Sequence, residues 1–306
     1  MTTFVIRRFA LAVVVLFAAT TVTFFMLYLT GDPIAAILRE AGSDPASIKA
    51  ARHAYGFDRP LFIQYLHFLD HLIHGNFGTS LQSAQPCLPL ILERLPATLK
   101  LTGAAVFVTM AVSLPLGLFS AVKQNTIVDR FAGVSVGLFQ SIPSFVVGPL
   151  LILFLAVDTR LLPVAGSSGF SSIILPAVTL ALYPIAVVTR VLRASTLDVL
   201  PLDFVTIARA KGLREWAVLV RHVLRNALLP VLTVTGLLVA ELLGGAVIVE
   251  NIFAWPGVGQ LSVQALLNSD FPLIRAVIIV ISCGVIAVNF AVDILYGVID
   301  SRARVA

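Results

Sequence analysis

The sequence has 306 residues, 58% hydrophobic and 12% charged, against about 25% charged in soluble domains. With a mean hydropathy of +1.00, this excludes a soluble globular protein and points to an integral membrane protein. The net charge of +5 does not imply nucleic acid, which needs a solvated basic face; membrane topology explains the basic residues better.

A spanning helix needs about 20 apolar residues, because the hydrocarbon core is about 30 Å thick and each residue rises about 1.5 Å. Arg7 and Arg8 precede the uncharged run Phe9–Thr30. It is longer than the roughly 7–15 residues of a signal-peptide core, and no small-residue cleavage pattern follows. It is expected to be a retained anchor and the first span.

The connection from Gly31 to Thr98 reads as structured. Asp44-Pro45 is an N-cap followed by proline at the first helical position, and Gly56 is a natural stop. A second helix is expected from near Pro60 to Gly75. Its polar members Gln64, His67, Asp70, His71 and His74 share one stripe. His67, His71 and His74 are metal candidates, since their side chains project together. The solvated stripe of an amphipathic helix is the preferred reading, because no group that would orient a ligating imidazole is visible.

Leu101–Val122 and Phe131–Val157 are the second and third spans. Leu161–Thr189 is interrupted by Gly166-Ser-Ser-Gly-Phe-Ser-Ser172, so only the part from about Ile173 is expected to span. Asn226–Val249 is the fifth span, with Glu241 inside it, and Ala276–Ile299 the sixth, with Asp293. Asn251–Ser269 is uncharged too, but Pro256, Gly257, Gly259 and four amide side chains make it a loop or re-entrant turn. Pro143, Pro176 and Pro184 are expected to kink their spans.

An unpaired acid inside a span costs at least ~2–3 kcal/mol. Glu241 and Asp293 therefore need partners or a wet path, and a pore-lining or structural role is preferred to a proton relay. Thirteen Lys and Arg fall on the side of the N-terminus, whereas the short opposite loops hold Arg160 and Arg275 alone. Both termini are thus expected in the cytoplasm. Cys87 and Cys283, the only cysteines, then lie in different compartments, and no disulfide is expected. No Gly-Lys dipeptide occurs, so there is no phosphate-cradling P-loop.

Seven Lys and Arg lie between Arg190 and Arg225. Asp203 is placed to cap a short helix, Phe204 to Lys211, with Arg209 and Lys211 at its negative end. Gly212 follows as a residue able to take positive φ. A second helix, Leu213 to Arg225, has an oily face including Trp216, Leu219 and Val223. Its opposite face carries Arg214, Glu215, Arg221 and Arg225, and Val218 is the one misfit. Lipid attraction, worth about 1 kcal/mol per basic residue, explains the charge but not the glycine-hinged pair. A docking element for a partner explains both.

This segment, "DFVTIARAKGL…RHVLRNALLP", resembles the cytoplasmic coupling loop of ABC-importer permeases of the dipeptide, oligopeptide and nickel branch. The similarity extends over nearly the whole chain, in "GDP" at Gly31–Pro33, "YGFDRPLFIQYL" at Tyr55–Leu66 and "GNFGTS" at Gly75–Ser80. It continues in "SIPSF" at Ser141–Phe145, "LLPVAG" at Leu161–Gly166, "GGAVIVENIFAWPGVGQL" at Gly244–Leu261 and "VDILYGVIDSRAR" at Val292–Arg304. Thr206-Ile207-Ala208 stands where the general motif reads Glu-Ala-Ala, and Asp300-Ser301-Arg302 where Asp-Pro-Arg is usual.

The resemblance implies an all-α polytopic membrane protein with six transmembrane helices and the type I ABC-importer permease fold. Residues 1–30 would hold the tail and first span. Residues 31–98 would form an external helical insertion between the first two spans. Residues 99–306 would make a five-helix core with coupling helices at about 200–225. It implies a non-enzymatic subunit in a prokaryotic cell membrane, with membrane lipid around it and no nucleic-acid partner. That subunit would pair with a second homologous permease, dock two cytoplasmic ATPase subunits that bind ATP and Mg, and receive peptides from an external binding protein.

By the same resemblance, coupling would fall to Asp203, Phe204, Ala208, Arg209, Ala210, Lys211, Gly212, Leu213 and Arg214. The candidates for the pore or gate are Ser141, Pro143, Phe145 and Glu241. A permease for nickel or a metal chelate, a proton-coupled carrier and an intramembrane enzyme are the alternatives.

Overall fold

In the computed structural model, residues 2–29 and 58–299 are described, together with Ala46, Lys49 and His53. Of the helix expected from Asp44 to Gly56 only Ala46, Lys49 and His53 are described, and Gly31–Pro33 and Asp300-Ser301-Arg302 lie outside the described residues. The described residues are helical, with one isolated bridge between Thr79 and Pro86. Among the described residues five helices are long and apolar enough to cross a membrane, and a bent pair makes a sixth if it is one span.

The helices are α1 (Thr2–Leu29), α2 (Leu61–Ile73), α3 (Cys87–Val122), α4 (Ile127–Ser141), α5 (Ser144–Leu151), α6 (Phe170–Val199), α7 (Asp203–Ala210), α8 (Glu215–Val218), α9 (Arg225–Ile252), α10 (Val258–Leu267) and α11 (Phe271–Ile299). Wide π turns follow α5 (Ile152–Asp158) and join α8 to α9 (Leu219–Leu224).

Four expectations change. The third span is not one rod: α4 and α5 meet at a bend of 102°. Ile142 there is extended, with ψ 117°, as the residue before a proline prefers. Secondly, α6 runs ten residues past Thr189, so Arg190 and Arg193 sit on a helix and not in a loop. Thirdly, the basic helix after Gly212 is not a separate surface element, because α8, the π turn and α9 run on without a break. Lastly, the segment read as a loop after Asn251 contains α10.

Among the described residues two compact units emerge, one drawn from residues 2–98 and 256–286, the other from residues 99–255 and 287–299. In the first, Phe24, Tyr65, Phe68 and Ile279 form one buried cluster. Thr21 and Tyr65 join their hydroxyls at 2.6 Å. The Arg275 guanidinium lies 4.3 Å over the Phe68 ring, so α11 begins further back than expected and places this cation against an aromatic face. A second cluster holds Cys87, Ile91, Val258, Leu273 and Val277. Asp270, just before α11, is buried; it accepts from Ser80 Oγ at 2.5 Å and from the Leu81 amide at 3.1 Å.

In the second unit α6 is the central rod, packed by α4, α5 and α9. Pro176 and Pro184 lie inside it without interrupting it. Small residues bring the helices close. A Cβ on Gly117 of α3 would come within 3.0 Å of the Thr189 carbonyl, and one on Gly236 of α9 within 2.4 Å of Val292. Two polar links tie α4 to α6: Arg193 grips Asp129 through bonds of 2.7 and 2.8 Å, and Arg190 donates to Gln140 at 2.5 Å.

The Asp129–Arg193 pair is two-pronged and mostly covered, so it contributes about 1 kcal/mol. A double-mutant cycle with Asp129→Asn and Arg193→Met, read by thermal unfolding in detergent, is expected to show coupling of that size. Strict additivity would show the pair to be inert.

Candidate functional site: a glycine-hinged loop and a pocket at the broken span

The segment after α6 turns at Pro201 and enters α7. Leu202, not Asp203, is the cap residue, and no side chain caps this end. Asp203 is the first helical residue, where a carboxylate favours the positive end of the helix dipole. The amide of Lys211 closes on Ile207 at 3.0 Å and that of Gly212 on Arg209 at 2.9 Å. Gly212 has φ +77° and open space where a Cβ would be. This left-handed residue ends α7 and reverses the chain, as expected.

Arg209 reaches across the turn to Glu215 through bonds of 2.7 and 3.2 Å. That carboxylate raises the Arg209 guanidinium above its ordinary pKa. The pair is half-exposed and holds the two arms with less than ~1 kcal/mol.

One side of α7 is anchored. Val205 and Ala208 are buried in a cluster with Val188, Leu192, Val218, Val223, Ala227 and Val231. Val218, the misfit on an α-helical wheel, is fully buried. The π turn supplies the reason: it fits one extra residue per turn, so Val218 and Val223, five apart, fall on the face that Ala227 and Val231 continue. The outer side carries Phe204 (38% exposed), Ile207 (54%), Leu213 (45%) and Trp216 (60%) beside Lys211 and Arg214. Trp216 stacks on Phe119, with ring centroids 6.4 Å apart. A rigidly backed knob with an oily, basic-rimmed outer surface results. Arg209, Ala210, Lys211 and Arg214 are all exposed on it.

The second feature is a cavity of about 340 Å³ at the break between α4 and α5. Pro143, Phe145 and Glu241 line it, so three of the four pore candidates come together. Ser141 does not; its hydroxyl donates to the Gly137 carbonyl at 2.8 Å. Gln140, Ser144, Thr179 and Tyr183 are the polar lining residues that sequence reasoning missed. Gln140 and Ser144 flank candidates already chosen, and Tyr183 precedes Pro184, so proximity to those positions was the available signal.

The histidine stripe stays dispersed. Arg59 donates to His67 Nε2 at 2.9 Å, His74 Nδ1 bonds the Asp70 carbonyl at 2.8 Å, and the His67 and His71 rings are 6.5 Å apart. A guanidinium on the imidazole nitrogen repels a cation. Among the described residues no three His, Cys, Asp or Glu groups converge on a metal-sized space. Gly133-Val-Ser-Val-Gly137 spells the pattern of a nucleophile elbow, which presents serine at a strand-to-helix turn; here it runs mid-helix in α4.

Residues 113–305 match the family described as "Binding-protein-dependent transport system inner membrane component", and residues 1–102 match its N-terminal companion. The chain belongs to this family. As such a permease it is a multi-pass inner-membrane transport protein. It is 37% identical to the dipeptide transport system permease protein of Lactococcus lactis, over 99% of this chain and all of that one. It is also 37% identical to the di/tripeptide transport system permease protein of Pseudomonas aeruginosa, over 99% of each. Among solved structures, the MetNI methionine ABC transporter in inward-facing conformations superposes with a TM-score of 0.60 at 20% identity. That match covers 70% of this permease and 97% of the other chain, so the fold is shared.

Proposed function

We propose that this permease is one of two membrane subunits of an ATP-driven importer of short peptides. The second is a homologous permease, and the two line the path together. Two ATPase subunits, which bind the ATP and Mg, dock on the loop around Gly212. A binding protein delivers peptide from outside, both termini face the cytoplasm, and residues 31–98 form an external insertion. The observation that carries this reading is the Asp203–Arg214 knob. It is braced from behind by Val205 and Ala208 and displays Phe204 and Ile207 outward, a shape that transmits force from a partner into α9. Asp203, Phe204, Ala208, Arg209, Ala210, Lys211, Gly212, Leu213 and Arg214 form the coupling element. The peptide-transport names of relatives matching over the full length supply the cargo class, and the scattered histidines give a metal cargo no support.

Reconstitution tests this. The complete importer in liposomes is expected to accumulate a labelled dipeptide only with ATP, while the isolated chain moves none on a pH gradient. Uptake by the isolated chain would make it a self-sufficient carrier.

A further inference from the structure

The cavity at the broken span contains one charge. Glu241 is exposed within it, on α9 about 24 Å of helix beyond Arg225 at 1.5 Å per residue. Among the described residues its carboxylate has neither a hydrogen-bond nor an ion-pair partner. An acid left so in a span is costly, and such residues mark cargo paths. The remaining polar lining is neutral: the Gln140 amide, the Ser144 and Tyr183 hydroxyls, and Thr179, whose hydroxyl is already given to the Leu175 carbonyl at 2.8 Å. The nearby base Arg190 is committed to the Gln140 amide oxygen. Phe139, Phe145 and Leu238 supply apolar wall. The volume is within the range of small-ligand sites.

We infer that Glu241 receives the free α-ammonium group of the cargo peptide as it passes the break between α4 and α5. This deepens the peptide-importer reading and rests on it. Peptides of every sequence share one α-ammonium, whereas their side chains differ. A single carboxylate among apolar walls therefore grips any of them without reading sequence. Once the ammonium leaves, only a neutral lining remains to hold the backbone, so the site does not trap its cargo.

The complete importer provides the test, in two measurements. In liposomes, Glu241→Gln is expected to lower uptake of dialanine about tenfold, the effect of one charge-assisted hydrogen bond. ATP hydrolysis stimulated by loaded binding protein should stay within about twofold of wild type, because the coupling loop is untouched. Glu241→Asp should retain most of the uptake and Glu241→Lys none.

In the second measurement Ser144→Cys, in a background lacking Cys87 and Cys283, is labelled with a maleimide in detergent without binding protein. Dialanine should slow labelling and N-acetyl-dialanine should not, and Glu241→Gln should remove the protection. Equal protection by both peptides, or undiminished uptake by Glu241→Gln, overturns the role of Glu241 and leaves the importer reading standing. A wild-type importer that accumulates no dipeptide overturns both.

Discussion

Proline at Gly212 is expected to abolish binding-protein-stimulated ATP hydrolysis in the assembled importer, with the protein still inserted and still copurifying with its second permease. Gly212 sits at φ +77°, whereas proline fixes φ near −65° and has no N–H. The amide that closes α7 onto Arg209 is therefore lost, and the chain cannot reverse where it now does. The cost, about 3 kcal/mol or more, falls on the turn. The buried backing of α7 by Val205 and Ala208 sits on the other side of the helix.

Alanine separates geometry from bulk. Open space surrounds the missing Cβ, so Gly212→Ala meets only the left-handed backbone penalty, about 1–2 kcal/mol. It should lower stimulation several-fold without abolishing it. Normal stimulation in Gly212→Pro would remove the loop from the coupling route.

Inside this unit the loop has two outlets. The buried row from Val205 through Val218 and Val223 to Val231 carries it into α9, the helix that bears Glu241. Arg190 and Arg193, on the last turns of α6 before the loop, hold Gln140 near the break and Asp129 at the start of α4. A tilt of α7 is therefore expected to pull on both walls of the cavity at Pro143. Shifts of packed rods joined by discrete contacts are the usual currency of such switching.

The spans were legible because a bilayer imposes a length on apolar runs, and each expected run falls on one of the observed helices or the bent pair. The glycine turn was legible too, since few residues take positive φ. Less local features were not. Proline breaks the chain at Pro143 but not at Pro176 or Pro184, because its effect depends on whether neighbouring helices and side chains satisfy the freed backbone groups. The Val218 misfit hinted at the π turn, but a wheel drawn at 100° per residue assumes the regularity it fails to test. Asp203 looked like a cap because aspartate is a good one; the chain starts the helix one residue earlier, at Asp203 itself, leaving Leu202 at the cap. The cavity joins residues from α4, α5, α6 and α9, and no spacing along the sequence announces such a meeting.

Asp270 illustrates the same limit and gives the other large expected effect. It lies 190 residues from Ser80, yet its carboxylate takes the Ser80 hydroxyl at 2.5 Å, the Leu81 amide at 3.1 Å and the Leu273 amide at 3.4 Å. It therefore caps α11 and pins the Gly75–Ser80 motif at once. Asp270 is 1% exposed, so Asp270→Ala leaves buried donors without an acceptor and water cannot readily replace it. Hydrogen bonds to a charged group contribute about 1.5–3 kcal/mol each, and orphaned buried donors add their desolvation cost. A net loss of about 2–4 kcal/mol is expected.

Cys87 reports it, being fully buried in the same unit beside Leu273 and Val277. With Cys283 replaced by serine, maleimide reaches Cys87 only when that unit opens, and local opening follows its free energy. Asp270→Ala should therefore speed Cys87 labelling roughly 30- to 700-fold, tenfold for each 1.4 kcal/mol. Asp270→Asn, which keeps one acceptor oxygen and lets Ser80 accept in turn, should fall well short of that. Labelling at the wild-type rate in Asp270→Ala would mean that the apolar cluster around Ile91 and Val258 holds this unit together without the carboxylate.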